Sequence, residues 1–260
     1  MALKFNCSAC GKCCSKIGGF ISNSEKEFIA EFGHGKMPLI QIIPSSEMTF
    51  PLWDFEAKRF KEYEKEVHID AKIRPSRGFL DLNSNKFVVV TYHMNSEACP
   101  FLEETGKCRI YKTKRAFICH LFPLNKSPFL NTGEEFSKEM FGSCPNINEI
   151  ITNLDYKNKE KMIKELYDSF GDGFLASVQH DFIMEWSNKL IIELMKNKLI
   201  RPALNYPYDK LKKRIENSEK IDLMDFLVEI DYKTREEVDE LITRFEGLEN
   251  AKEKIMNYPV

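Results

Sequence analysis

Long apolar runs are missing from this chain. Stretches such as Phe87–Val90 and Leu190–Ile192 are only a few residues long, far short of the roughly 20 that a membrane-spanning helix needs. The opening residues, MALKFNC, have no apolar core of the kind a secretory signal carries. Excess charge of one sign is missing as well. There are 38 Lys and Arg against 40 Asp and Glu, a formal net charge of -2, which gives no electrostatic reason to expect nucleic acid as a partner. These absences predict a charge-rich protein of the cytoplasm with no membrane partner. The 260 residues are enough for one large domain or two modest ones with a sizeable core.

Cysteine is absent after Cys144, so the last 116 of the 260 residues have none. This is the clearest shift in composition. It predicts two domains, a cysteine-bearing one over residues 1–148 and an all-helical one over residues 149–260, with an α+β fold class for the whole. No repeat of about 20 to 50 residues stands out, which excludes a solenoid or propeller.

The first part reads as mixed. Ser24 and Glu27 form a capping-box pattern ahead of Phe28, Ile29 and Phe32. Trp53 to Val67 is a second helix, with Phe60, Tyr63 and Val67 on one side. In GFLDLNSNKFVVVTYH two apolar runs flank Asn83-Ser84-Asn85, the pattern of a β-hairpin. One further helix is expected around Ile110 to Ile118. In the second part, apolar residues recur at helical spacing over Met162–Phe170, Phe182–Leu194 and Leu223–Ile230. Thr234 and Glu237 cap a last helix that carries Val238, Leu241, Ile242, Phe245 and Leu248.

The chemistry lies in the eight cysteines: Cys7, Cys10, Cys13, Cys14, Cys99, Cys108, Cys119 and Cys144. Disulfides belong to oxidising compartments, so metal is the better account. FNCSACGKCC places Cys7, Cys10 and Cys13 at three-residue steps, as ferredoxin loops do around a four-iron–four-sulfur cluster. Zinc prefers pairs of C-x2-C from separate stretches of chain. Gly11 can take a positive φ and turn amide N–H groups toward sulfur. Cys13 and Cys14, being adjacent, point apart. Cys99-Pro100 and Cys144-Pro145 echo the Cys-Pro of ferredoxins. Eight thiolates suit two four-cysteine sites, one cluster with one zinc, or one cluster with four spare cysteines.

The cysteine loop followed by CPFLEETGKCRIYKTKRAFICHLFP resembles the CxxCxxCC cysteine-cluster family, the YkgJ-like zinc- or iron-chelating proteins. The resemblance rests on Cys7, Cys10, Cys13, Cys14, Cys99, Cys108 and Cys119. It implies chelation of an iron–sulfur cluster or of zinc. That family includes flagellin lysine N-methylases, so the resemblance also implies, as an alternative, a protein lysine methyltransferase with S-adenosylmethionine as cofactor and a protein substrate or partner. A zinc-stapled interaction module is the other alternative. Two positions depart from the family pattern: Ala116 follows Arg115 where proline is usual, and His120 stands where arginine is usual. His120 thereby becomes a candidate ligand or, more in keeping with a histidine beside a ligand cysteine, a structural neighbour.

Other motifs are thin. No strand, Gly-rich turn and helix of a Rossmann methyltransferase is present, nor the C-x3-C-x2-C of radical S-adenosylmethionine enzymes. Glu31 with His34 and the group His180, Asp181 and Glu185 read as solvated faces, as does the basic run Lys210, Lys212, Lys213 and Arg214. Tyr111 and Arg115 lie between candidate ligands and suit either substrate orientation or packing against the loop.

Overall fold

The computed structural model describes residues 3–17, 38–43, 49, 51–124, 141 and 144–257. The helix expected from Ser24 to Gly33, with Glu31 and His34, lies outside the described residues. The chain divides into two compact units, each assembled from separated pieces. One comprises residues 1–13, 104–185 and 241–260, and the other residues 14–103 and 186–240. Composition changes near Asn148, but the compact units are cut elsewhere.

The second of these units is built on a sheet. Strands β1 (Ile40–Gln41), β2 (Pro51–Trp53), β3 (Ile73–Asp81) and β4 (Lys86–Met94) lie in the order β1-β3-β4-β2, all antiparallel. The expected hairpin is β3–β4, closed at Asp81 opposite Lys86. Its turn is tied down by the Asp81 carboxylate, which accepts from the Ser84 amide at 2.8 Å and hydroxyl at 2.7 Å. The same carboxylate accepts from the Arg201 amide at 2.7 Å. β4 is buried on both faces after its first residue, which explains its unbroken Phe-Val-Val-Val run. A fifth strand, β5 (Glu219–Asp222), runs parallel to β4.

Helix α1 (Asp54–Glu66) follows β2 directly. Its start is fixed by the Glu56 carboxylate, which accepts the Trp53 amide at 3.0 Å. Asp54 is buried and accepts the Met224 amide at 2.8 Å, at the start of α7 (Leu223–Glu229). Phe60 meets Phe101 edge-on at 5.4 Å, and Phe79 meets Phe226 at 6.1 Å. All four rings are fully buried, and each contributes about 1.5–3 kcal/mol of burial.

The first unit is helical. It contains α2 (Phe117–Leu121), α3 (Asn148–Asn153), α4 (Lys159–Phe170) and the opening turns of α5 (Asp172–Lys196). Leu124, Ile147, Met162, Leu166, Phe174 and Val178 form its core, with Phe5 and Cys144 packed at the edge. The α+β expectation holds. The later part of the chain is helical apart from β5, whose Glu219-Lys220-Ile221-Asp222 is too short and too charged to announce a strand.

Three local expectations need correction. No helix spans Ile110 to Ile118: turns occupy that stretch up to Thr113, Ala116 is extended, and only Phe117–Leu121 is helical. The last predicted helix is found as α8 (Arg235–Glu246), but it ends before Leu248, whose φ is 62°, and a further helix not expected from the sequence, α9 (Glu249–Met256), follows. His180 is not on a solvated face; it is 7% exposed within α5, while Glu185 is exposed. The face holding Lys210, Lys212 and Lys213 is exposed as expected, on α6 (Tyr208–Asn217), over buried Leu211 and Ile215.

Candidate metal centre

The loop from Cys7 to Cys13 is bent twice by positive φ, at Ala9 (49°) and Gly11 (72°). The bends aim amides at sulfur. The Ala9 amide donates to Cys7 Sγ at 3.4 Å. The Lys12 amide and then the Ser8 side chain donate to the Cys10 sulfur, and these bonds hold the Cys10 thiol below its ordinary pKa. Such N–H···S bonds favour the thiolate, the form that binds metal.

The chain fixes the loop from outside. Before it, the Phe5 amide donates to the Ser169 carbonyl at 2.9 Å and the Phe5 ring lies 5.3 Å from that of Phe170. The Asn146 side chain donates to the Asn6 carbonyl at 3.3 Å. Asn146 is two residues beyond Cys144 and Asn6 is one before Cys7, so this bond brings the remote cysteine to the loop. Cys144 responds to its neighbours. Burial pushes its thiol pKa up, the Asn146 amide works against that, and the fields of Cys10, Cys7 and Cys13 push it further up.

Cys7 and Cys10 are exposed, Cys13 and Cys144 half-buried. All eight cysteines are free thiols. Among the described residues no group of three or more Cys, His, Asp or Glu side chains is placed to hold a metal ion. The donor set is all sulfur, with three amides bonded to it, which fits iron, an iron–sulfur cluster or zinc by its chemistry.

The other four cysteines are placed differently. Cys14 and Cys99 belong to the sheet-based unit, where the Cys99 amide donates to the Cys14 carbonyl at 2.7 Å. Cys108 and Cys119 belong to the helical unit. The Cys108 carbonyl accepts the Tyr111 amide at 3.2 Å, and Cys119 sits on α2. His120 beside it is pushed down to about 4 by burial first and then by the Arg115 charge, against the pull of Asp172. Its imidazole is therefore neutral near pH 7. The Arg115 guanidinium lies 4.4 Å from the Tyr111 ring centroid, a stacked pair.

Sequence reasoning did not foresee the Asn146–Asn6 tie. One signal was there. Cys7, Cys10 and Cys144 each take an amide from the residue two places on, a local pattern shared by C-S-A, C-G-K and C-P-N. A cavity of about 280 Å³ lies in the sheet-based unit between Ile40, Ile42, Leu211 and Ile215, and none of its lining residues is a cysteine. No described helix is long and apolar enough to cross a membrane.

Neither a curated protein nor a solved structure gave a match. The profile of the CxxCxxCC family, described as "Putative zinc- or iron-chelating domain", matches residues 6–147, more than half of the chain. That span starts just before Cys7 and ends just beyond Cys144, so it encloses all eight cysteines. The chain belongs to the CxxCxxCC family of zinc- or iron-chelating domains.

Proposed function

We propose that this protein chelates a four-iron–four-sulfur cluster through Cys7, Cys10, Cys13 and Cys144, and that the centre pins the N-terminal loop to the helical unit. One observation carries the reading. Two residues beyond Cys144 the Asn146 side chain donates to the carbonyl of Asn6, the neighbour of Cys7, and Pro145 follows Cys144 directly. Three cysteines at three-residue steps with a distal Cys-Pro is the ligand pattern of ferredoxin-type clusters. The amides of Ala9, Lys12 and Asn146 supply the N–H···S bonds that tune such clusters. When bound, the cluster would supply a one-electron couple and a rigid four-point crosslink. Four thiolates close the site, which suits a structural centre rather than one with a ligand position left open. The reading places the chain in the cytoplasm, where thiols stay reduced.

The test is anaerobic purification followed by iron, acid-labile sulfide and zinc analysis. Iron and sulfide in near-equal amounts are expected, and loss of both in Cys144→Ala. Stoichiometric zinc without iron would replace the cluster by a zinc site on the same ligands.

A further inference from the structure

The cysteine loop and the segment packed against it are strongly basic. Residues 1–13 and 105–124 contain Lys4, Lys12, Lys107, Arg109, Lys112, Lys114 and Arg115 and no Asp or Glu, in a chain of 38 basic and 40 acidic residues. The segments abut, because a Cβ built on Gly106 would lie 3.3 Å from the Cys10 carbonyl oxygen. Both belong to the helical unit.

We propose that this basic face is a docking surface for an acidic segment of a partner protein. Lys4, Lys107, Arg109 and Lys112 are exposed, and none of them makes an ion pair with another described residue. They are not on a loose tail. Ile110 is 3% exposed and anchors the turn. The Thr113 amide and hydroxyl both donate to the Ile110 carbonyl, at 3.1 and 2.8 Å. The anchor turns Arg109, Tyr111 and Lys112 outward. Tyr111 is 42% exposed and Arg115 stacks on it. An exposed aromatic beside an arginine is the composition of a protein-binding patch, since Tyr and Arg are enriched there.

Charge balance at the thiolates is the competing account. It suffices for Lys12, whose charge acts on Cys10, and Lys114 is matched by Glu246. It gives no role to Arg109 and Lys112, which project into solvent. A nucleic acid is the weaker partner. The Arg115 guanidinium occupies one face of the Tyr111 ring where a base would stack, and the cations form one short turn rather than a track along a phosphate chain.

The experiment uses the full chain loaded with metal, with metal content measured before binding, so that it holds whichever metal is found. A short fluorescent poly-glutamate peptide is titrated at low and at physiological salt, with oligothymidylate as the rival probe. Saturable, salt-weakened binding to poly-glutamate is expected. Arg109→Glu with Lys112→Glu should weaken it at least about tenfold, or roughly 1.4 kcal/mol, without changing metal content. Lys210→Glu with Lys213→Glu, on the α6 face of the other compact unit, should leave it within about twofold, since neither residue belongs to the proposed surface. Arg109→Gln with Lys112→Gln should show the same ordering if the reversal variant fails to fold. Absence of binding, equal weakening by the α6 pair, tighter binding of oligothymidylate, or metal loss on reversal would each overturn the proposal.

Discussion

Gly106 approaches Cys10 so closely that an added Cβ would stand 3.3 Å from the Cys10 carbonyl oxygen, at a backbone φ of +81°. The turn that leads into Cys108 is thus packed against the middle of the cysteine loop. Both the approach and the left-handed backbone favour glycine.

Gly106→Ala should therefore destabilise the protein by about 1–2 kcal/mol from the left-handed backbone alone. The contact adds to this, since the Cys10 carbonyl belongs to backbone that must shift. Urea unfolding measures the first effect. Metal retention during dilution measures the second, and it should fall although no sulfur has been touched. Unchanged retention would mean that the Cys10 loop holds its shape without this neighbour.

Single substitutions should sort the cysteines. Cys7→Ala, Cys10→Ala, Cys13→Ala and Cys144→Ala are expected to lose the same metal to the same degree, because each removes one of four ligands. Cys14→Ala and Cys99→Ala, in the other compact unit, should leave that centre loaded. The readout is iron and zinc per chain for each variant. Retention in Cys144→Ala with loss in Cys99→Ala would move the fourth ligand.

Much of this is legible in the sequence. The loop spacing, Gly11, the Asn83-Ser84-Asn85 turn and the α1 stripe are local patterns, and local patterns survive into the structure. The partner of the loop was not legible. Spacing does not tell Cys99, Cys108, Cys119 and Cys144 apart, whereas the Asn146–Asn6 bond and the packing of Cys144 at the edge of the helical core tie Cys144 to the surroundings of the loop. β5 was hidden for a similar reason, since its hydrogen bonds come from β4, far away in the chain. His180 was misread because α5 is nearly buried over Phe174 to His180, so its polar residues do not mark a wet face.

Asp54 should make stability fall as pH rises. Burial, opposed by the Met224 amide and reinforced by Asp222, pushes its carboxyl up from 3.8 to about 7. The folded state then holds a proton that the unfolded state has lost over that interval. Stability is full below the unfolded value, declines through the interval and levels off above about 7. His120 acts in the opposite sense from about 4 to 6.5, being neutral when folded and protonated when unfolded. The readout is accordingly the difference in urea midpoint between the native chain and Asp54→Asn, whose carboxamide oxygen can still accept the Met224 amide. That difference should shift in favour of the variant as pH rises. A pH-independent difference would mean Asp54 is ionised throughout.

Removing the metal should loosen the loop and leave the rest folded. The loop is held at its N-terminal end by Phe5 on the helical core, an interaction that owes nothing to sulfur. The fully buried side chains, Phe60, Phe79, Phe87, Phe101, Phe174 and Phe226 among them, include no cysteine. At about 1.5–3 kcal/mol each, they outweigh the loss of one crosslink. What the metal orders is the set of amides bonded to sulfur. Hydrogen exchange after chelation is expected to release Ala9, Lys12 and Asn146 while the β3–β4 hairpin and α4 keep their protection. If the hairpin or α4 exchanged as fast as the loop, the centre would be holding the whole fold, as in small zinc domains that unfold without their metal. The buried aromatic cores would then be insufficient by themselves. The distinction matters for what the centre is for: a loop that alone responds to metal can signal the metal's presence to a bound partner, whereas a fold that collapses without it cannot.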